Sequence, residues 1–150
     1  MKQVLYVSGA TPEISDADLD AILASSRRNN ERDGITGMLL WADGSFIQIL
    51  EGEEPALEAT LKRIRNDSRH RNIMVLVDHG APGRAFGDWS MGFKRLDRHR
   101  ETDRLLFETS RAAIEHRMPN GDRSLLLDII LAFSRDFLAE GRAGESRRRV

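Results

Sequence analysis

Two apolar runs separated by an Asp-Gly pair constrain this chain more than any other feature. Ile35 to Trp41 is β-branched and apolar, Asp43-Gly44 follows, and Ser45 to Leu50 leads back. A two-residue type I′ turn needs positive φ at both central positions, and Asp-Gly meets that need. The stretch therefore reads as a tight β-hairpin. In the middle of its return strand sits Gln48, flanked by Phe46, Ile47, Ile49 and Leu50. Burying an amide without a partner costs roughly 1–3 kcal/mol. A polar group must face Gln48.

The segments on either side alternate between strand and helix patterns. Val4 to Ser8 reads as a strand with Val4, Tyr6 and Ser8 on one face. Ser15 and Asp18 have the spacing of a capping box. The helix they open runs to about Asn30, with Leu19, Ile22 and Leu23 inward and Ser26 and Asn30 further along the same stripe. A stripe that turns polar has two explanations. Asn29-Asn30 caps the helix, or the Asn30 amide points at a bound polar group. Glu53 to about Asp67 reads as a second helix with Leu57, Leu61 and Ile64 on its stripe. Ile73 to Val77 reads as a strand, Gly80 to Gly87 as a loop, and Asp88 to Phe93 as a short last strand.

The order βαββαβ, plus the short strand, is an α+β, ferredoxin-like plan. It lays both helices on one face of the sheet and makes the first and third strands central neighbours. Tyr6 and Gln48 then stand side by side beneath the cleft between the helices, where a phenol and an amide can satisfy each other.

Past residue 100 the texture changes. Glu101 to His116 and Ser124 to Glu140 read as two helices around Met118-Pro119-Asn120-Gly121. The second carries Leu126, Ile130, Phe133 and Phe137 on one broad apolar stripe. It either packs on its own domain or meets an oligomer mate or partner protein. Gly141 to Val150 is polar and Arg-rich, the composition of a disordered tail. The expected organisation is a folded domain over 1–97, a helical hairpin over 98–140 and a tail over 141–150.

Composition removes several classes of function. A net charge of −1 with no basic block in the first hundred residues argues against a nucleic-acid binder. The absence of cysteine excludes disulfides, thiolate chemistry and cysteine-held metal centres, and His79, His99 and His116 are too scattered in sequence to suggest a metal site. No apolar run approaches ~18 residues, so no membrane span is expected. Met1-Lys2-Gln3 leads straight into a strand pattern without a signal-peptide core. A cytoplasmic location is the expectation.

The joint pattern Tyr6, Asn30, Gly34-Ile35-Thr36-Gly37, Phe46 to Gly52, Arg69-His70 and Trp89-Ser90-Met91 resembles the BLUF domain, the flavin-based blue-light sensor, over about residues 2 to 97. The two following helices resemble the C-terminal extension of short, single-domain BLUF proteins. The resemblance implies FAD, with FMN or riboflavin as forms that recombinant protein could carry, its ring lying between the two helices. Tyr6 matches the photoactive tyrosine, and Gln48 the glutamine between that tyrosine and the ring. Asn30 matches the asparagine that bonds the ring's polar edge, while Ile22, Phe46 and Ile64 match positions packing near it. Arg69 and His70 match a basic pair near the phosphate-bearing part of the cofactor. Trp89 and Met91 match two residues that trade places beside the glutamine in different family structures. In the family scheme Tyr6 gives an electron to the excited flavin and a proton follows through Gln48. The implied output is not enzymatic: a signal passes to the C-terminal helices, a homo-oligomer contact and a separate effector protein. Two other classes stand beside this one. An acylphosphatase-like hydrolase would want an arginine in the first loop, and Gly9 to Glu13 has none. A flavin-free interaction module would purify colourless.

Overall fold

The computed structural model describes residues 1–41, 44–87 and 90–96. Seven elements follow one another: β1 (Lys2–Ala10), α1 (Asp16–Asp33), β2 (Thr36–Trp41), β3 (Ser45–Gly52), α2 (Glu54–Arg65), β4 (His70–Gly80) and β5 (Gly92–Arg95). The strands form one sheet in the order β4-β1-β3-β2-β5. The ferredoxin-like α+β plan therefore holds, with β5 added beyond β2. The expected hairpin over 98–140 and tail over 141–150 lie outside the described residues.

Local chemistry sets the element ends. Ser15 Oγ accepts the Asp18 N–H at 3.1 Å and the Asp18 carboxylate accepts the Ser15 N–H at 2.9 Å, so two orphan donors at the start of α1 are satisfied together. The helix ends at Gly34, which takes φ 70 and sends its N–H to the Asn30 carbonyl. Glycine meets no Cβ clash in that left-handed position. The cap explanation for Asn29-Asn30 is thereby overturned: α1 continues for three residues past Asn30, which is a buried residue inside it. At the hairpin, Gly44 has φ 95 and the ladder runs up to Trp41 opposite Phe46; Asp43 lies outside the described residues.

The two sides of β1 are unlike. Toward β3 the antiparallel ladder is unbroken from Lys2↔Gly52 to Gly9↔Ser45, and it sets Tyr6 opposite Gln48. Toward β4 the register shifts twice, between Leu5 and Tyr6 and between Val7 and Gly9. Asn72, in the irregular stretch, has φ 53.

The last strand is shorter and later than Asp88 to Phe93. β5 starts at Gly92, paired parallel with β2 at Met38. Ser90 and Met91 turn their carbonyls to α1 instead of a neighbouring strand: Asn30 Nδ2 donates to Ser90 O at 2.8 Å and Arg27 Nε donates to Met91 O at 3.2 Å. Asp88 and Trp89 lie outside the described residues.

The helix-facing core joins Val4, Tyr6, Phe46 and Leu50 of the sheet to Leu19, Ile22 and Leu57 of the helices, with Met91 at its edge. Leu5, Val7, Met38, Leu40, Ile47 and Ile49 point to the opposite face and are buried as completely. Burial on both faces explains why the central strands read as continuous apolar runs rather than alternating ones. Among the described residues, no helix is long and apolar enough to cross a membrane.

Gly37 on β2 faces the β3 backbone with no room for a side chain. A Cβ there would collide with the Ile49 carbonyl. Overpacking of this kind costs about 1–3 kcal/mol. Gly37→Ala is expected to lower stability by that amount in urea unfolding; wild-type stability would show that the two strands can separate without cost.

Candidate functional site

The unbroken β1–β3 ladder fixes the centre of the site. Tyr6 and Gln48 are cross-strand partners on the helix-facing side, 0% and 4% exposed. The Tyr6 hydroxyl donates to Gln48 Oε1. At the other end of the same amide, Gln48 Nε2 lies 3.3 Å from Met91 Sδ. A thioether is a weak acceptor, so the amide nitrogen keeps donor capacity to spare. Burial pushes the Tyr6 phenol well above its ordinary range, and the charge of Asp67 pushes it the same way. The phenol is a proton donor and not a phenolate.

Above this pair α1 and α2 leave a cleft of about 140 Å³. Ile22 and Ile64 give it apolar sides, and Leu39 and Leu50 contribute apolar floor beside Tyr6 and Gln48. Asn29 and Asn30 supply amides from α1; Thr60, Arg63, Asp67, Arg69 and His70 make the wall on the α2 side polar. Asn30 is 2% exposed and spends its amide nitrogen on Ser90. Among the described residues, no protein donor reaches its side-chain oxygen Oδ1.

The basic residues are held by acids and by one serine. Arg69 makes a forked pair with Asp67, Nη2 to Oδ2 at 2.7 Å and Nε to Oδ1 at 2.9 Å. Hydrogen bonding from Arg69 pulls the Asp67 carboxyl below its usual range. Arg63 Nη2 reaches Asp33 at 2.9 Å and Thr60 Oγ1 at 3.2 Å. His70 Nδ1 lies 2.9 Å from Ser8 Oγ, and its ring packs on Phe46 with centroids 4.6 Å apart. Burial lowers the His70 pKa; Asp67 opposes that shift and Arg69 adds to it.

The structure thus gathers Tyr6, Ile22, Asn30, Gln48, Ile64, Arg69 and His70 around one cleft. Phe46 is not on the cleft wall. It is fully buried between Trp41 and His70 and supports the wall from behind. Met91 meets Gln48; Trp89 lies outside the described residues. Thr60, Arg63, Asp67 and Ser8 were not singled out for the site from sequence. Thr60 was within reach, since it stands four residues before Ile64 on the same helix stripe.

A flat ring with one polar edge suits apolar sides facing each other and amides at one end. The family model described as "BLUF: Sensors of blue-light using FAD" matches residues 1–92. The chain belongs to the BLUF family. BLUF domains bind flavin, and the spare donor on Gln48 and free acceptor on Asn30 are the kind of groups a flavin's polar edge would use. The beta subunit of the photoactivated adenylate cyclase of Euglena gracilis is 42% identical over 77 residues, which are 51% of this chain and 9% of that protein. The blue light- and temperature-regulated antirepressor BluF of Escherichia coli (strain K12) is 30% identical over 107 residues, 71% of this chain and 27% of that protein. Among solved structures, BlsA in its photo-activated state gives a TM-score of 0.71 at 27% identity, covering 87% of this chain and 94% of that one. The chain spans about a tenth of the length of the cyclase subunits it matches.

His70 gives this BLUF domain a pH dependence. Its folded pKa is below the ordinary 6.5, so below that pH the unfolded chain binds a proton that the folded chain refuses. Stability then falls as pH falls from about 6.5 toward the folded value. In urea unfolding between pH 7.5 and 5.5, His70→Gln is expected to flatten this decline. An equally steep decline in the variant would assign it to other groups.

Proposed function

We propose that this chain is a blue-light sensor that holds FAD in the cleft between α1 and α2 and switches through Tyr6, Gln48 and Met91. One observation carries it: a buried phenol donates to one end of a buried amide whose other end rests on a methionine, all at the base of the cleft. The flavin, when bound, supplies the absorption of blue light and an acceptor for one electron. Tyr6 supplies that electron. Oxidation makes its hydroxyl strongly acidic, and the proton has a path along the existing bond into Gln48 Oε1. Without oxidation the proton stays on Tyr6, because burial holds the phenol protonated.

Gln48 stores the result. An amide has an acceptor at one end and donors at the other. Turning it over, or moving a proton across it, exchanges the ends that face Tyr6 and Met91. Once an electron and a proton have returned to Tyr6, only the arrangement of hydrogen bonds around the Gln48 amide differs from the dark state, with no adduct to break, so the dark state returns by itself. Ile22, Ile64 and Phe46 keep the ring in place or support the wall that does. Asn30 offers an acceptor to its polar edge; Arg69, His70 and Arg63 line the same cleft, which supports a role for them toward the ribityl and phosphate part.

The relatives indicate where the signal goes. Cyclase subunits and an antirepressor share this domain, so the switch acts on an attached or separate effector. The chain itself carries no proposed catalytic residue. A homo-oligomer contact and a separate partner protein, met through the C-terminal segment, are the output we infer; a cytoplasmic location fits that output.

Purified protein is expected to be yellow, to release FAD on denaturation, and to shift its absorption reversibly to the red under blue light. Tyr6→Phe keeps the ring but removes the hydroxyl, so it is expected to bind flavin normally and lose the shift. Gln48→Leu is expected to behave alike. A normal shift in Tyr6→Phe would remove Tyr6 from the switch, and colourless protein that takes up no added flavin would remove the whole proposal.

A further inference from the structure

The connection from β4 to β5 has to travel from one edge of the sheet to the other, past the ends of β1, β3 and β2. Midway it passes Glu51, near the end of β3. Glu51 is a charged-type side chain with 0% exposure. Its flanking cross-strand partners are Gln3 on β1 and Thr36 on β2, so the three form a polar row at one end of the three inner strands. Every group that meets the carboxylate is a donor. Oε1 accepts Thr36 Oγ1 at 2.8 Å and the Phe86 N–H at 2.6 Å. Oε2 accepts the Ala85 N–H at 2.9 Å and, at the long limit of 3.5 Å, Gln3 Nε2. Arg84, next in the chain, clamps the same corner by donating to Thr36 Oγ1, the Glu51 carbonyl and the Gly34 carbonyl. Phe86 is itself buried at 1% exposure.

This grip lies close to the switch along the chain. Ser90 and Met91 are held to α1 by Asn30 and Arg27, and Met91 Sδ meets Gln48. Between Phe86 and Ser90 there are only Gly87, Asp88 and Trp89. Phe86 and Met91 are five residues apart, a reach of at most ~17 Å when extended, so the two held points are joined by a short length of chain. Gln48 and Glu51 also share one strand, three positions apart and on opposite faces of the sheet, so the link between them runs through the backbone and not through side-chain contact. A side chain that accepts two backbone N–H groups and a hydroxyl at 2.6–2.9 Å is a firm anchor.

We propose that Glu51 is a positioning residue for the switch: by holding Ala85 and Phe86, the latter five residues before Met91, it limits how far Met91 can withdraw from Gln48, and so sets how readily the Gln48 amide changes over. The proposal rests on the photoreceptor function above. Glu51 lies outside the cleft wall and needs no contact with the flavin. Turning the Gln48 amide requires Met91 to yield, and a firm anchor at Phe86 makes that yielding slow.

Glu51→Gln tests this. The glutamine keeps the size but presents an NH2 group to two of the four donors, so one pair of bonds is lost. Flavin binding and the size of the red shift are expected to remain, while the dark recovery becomes at least threefold faster. Thr36→Val removes one donor and leaves both backbone bonds; it is expected to change recovery less. In the wild type, the Ala85 and Phe86 amide resonances are expected to differ between dark and lit protein, a measurement that needs no variant to fold. Unchanged recovery in Glu51→Gln, or identical resonances in dark and light, would overturn the proposal. Wild-type protein with no red shift would sink the photoreceptor function and this proposal together; a normal shift indifferent to Glu51 sinks only this one.

Discussion

The hydrogen bond from Tyr6 to Gln48 is the constraint around which the domain is arranged. Both groups are buried, and a buried donor or acceptor left unpaired costs about 1–3 kcal/mol. Each is therefore the other's reason to be tolerated in an apolar core. The bond exists because β1 and β3 are neighbours, and they are neighbours because two helical crossovers lie on the same face. Those helices cannot close over the pair completely, since polar groups on α1 and α2 face one another across the gap. The cleft follows from the same topology that makes the bond.

Electrostatics at the α2 side of the cleft serves orientation more than stability. Arg63 pairs with Asp33, and Arg69 with Asp67, at partly exposed positions. Pairs of this kind contribute about 0–1 kcal/mol. They hold two guanidinium groups in place, yet an arriving anionic group would give up little by competing with the carboxylates. The carboxylate at the sheet end differs in kind. Glu51 is fully enclosed, and its value lies in the four donors it organises.

Much of this was legible in the sequence, for identifiable reasons. Apolar runs around Asp43-Gly44 specify a hairpin, Ser15 and Asp18 specify a helix start, and a lone Gln48 between apolar neighbours marks a polar demand. Helix and strand periodicity then place Tyr6, Ile22, Asn30 and Ile64 on facing surfaces. The errors arise where long-range contacts override local pattern. Asn29-Asn30 looks like a helix end, but Gly34 is the better terminator and Asn30 has a tertiary partner in Ser90. Ser90 and Met91 look like strand, but their carbonyls go to α1. Phe46 packs against His70, which lines the cleft. Glu51 could not be seen as a buried anchor, because nothing local shows that the backbone of Ala85 and Phe86 returns to it. The resemblance supplied the cofactor, which no spacing of residues would have given.

The unequal sides of β1 have a consequence for how such a domain can vary. Toward β3 every residue is paired in register, so an insertion in either strand would slide the phenol past the amide and abolish their bond. Toward β4 the ladder is already interrupted on both sides of Tyr6. Bulges of this sort absorb an extra residue without passing the offset onward. A change of length in the outer strand can therefore be taken up at these irregularities while the inner pair stays at fixed spacing. The edge carries the tolerance, and the Tyr6–Gln48 bond is insulated from it.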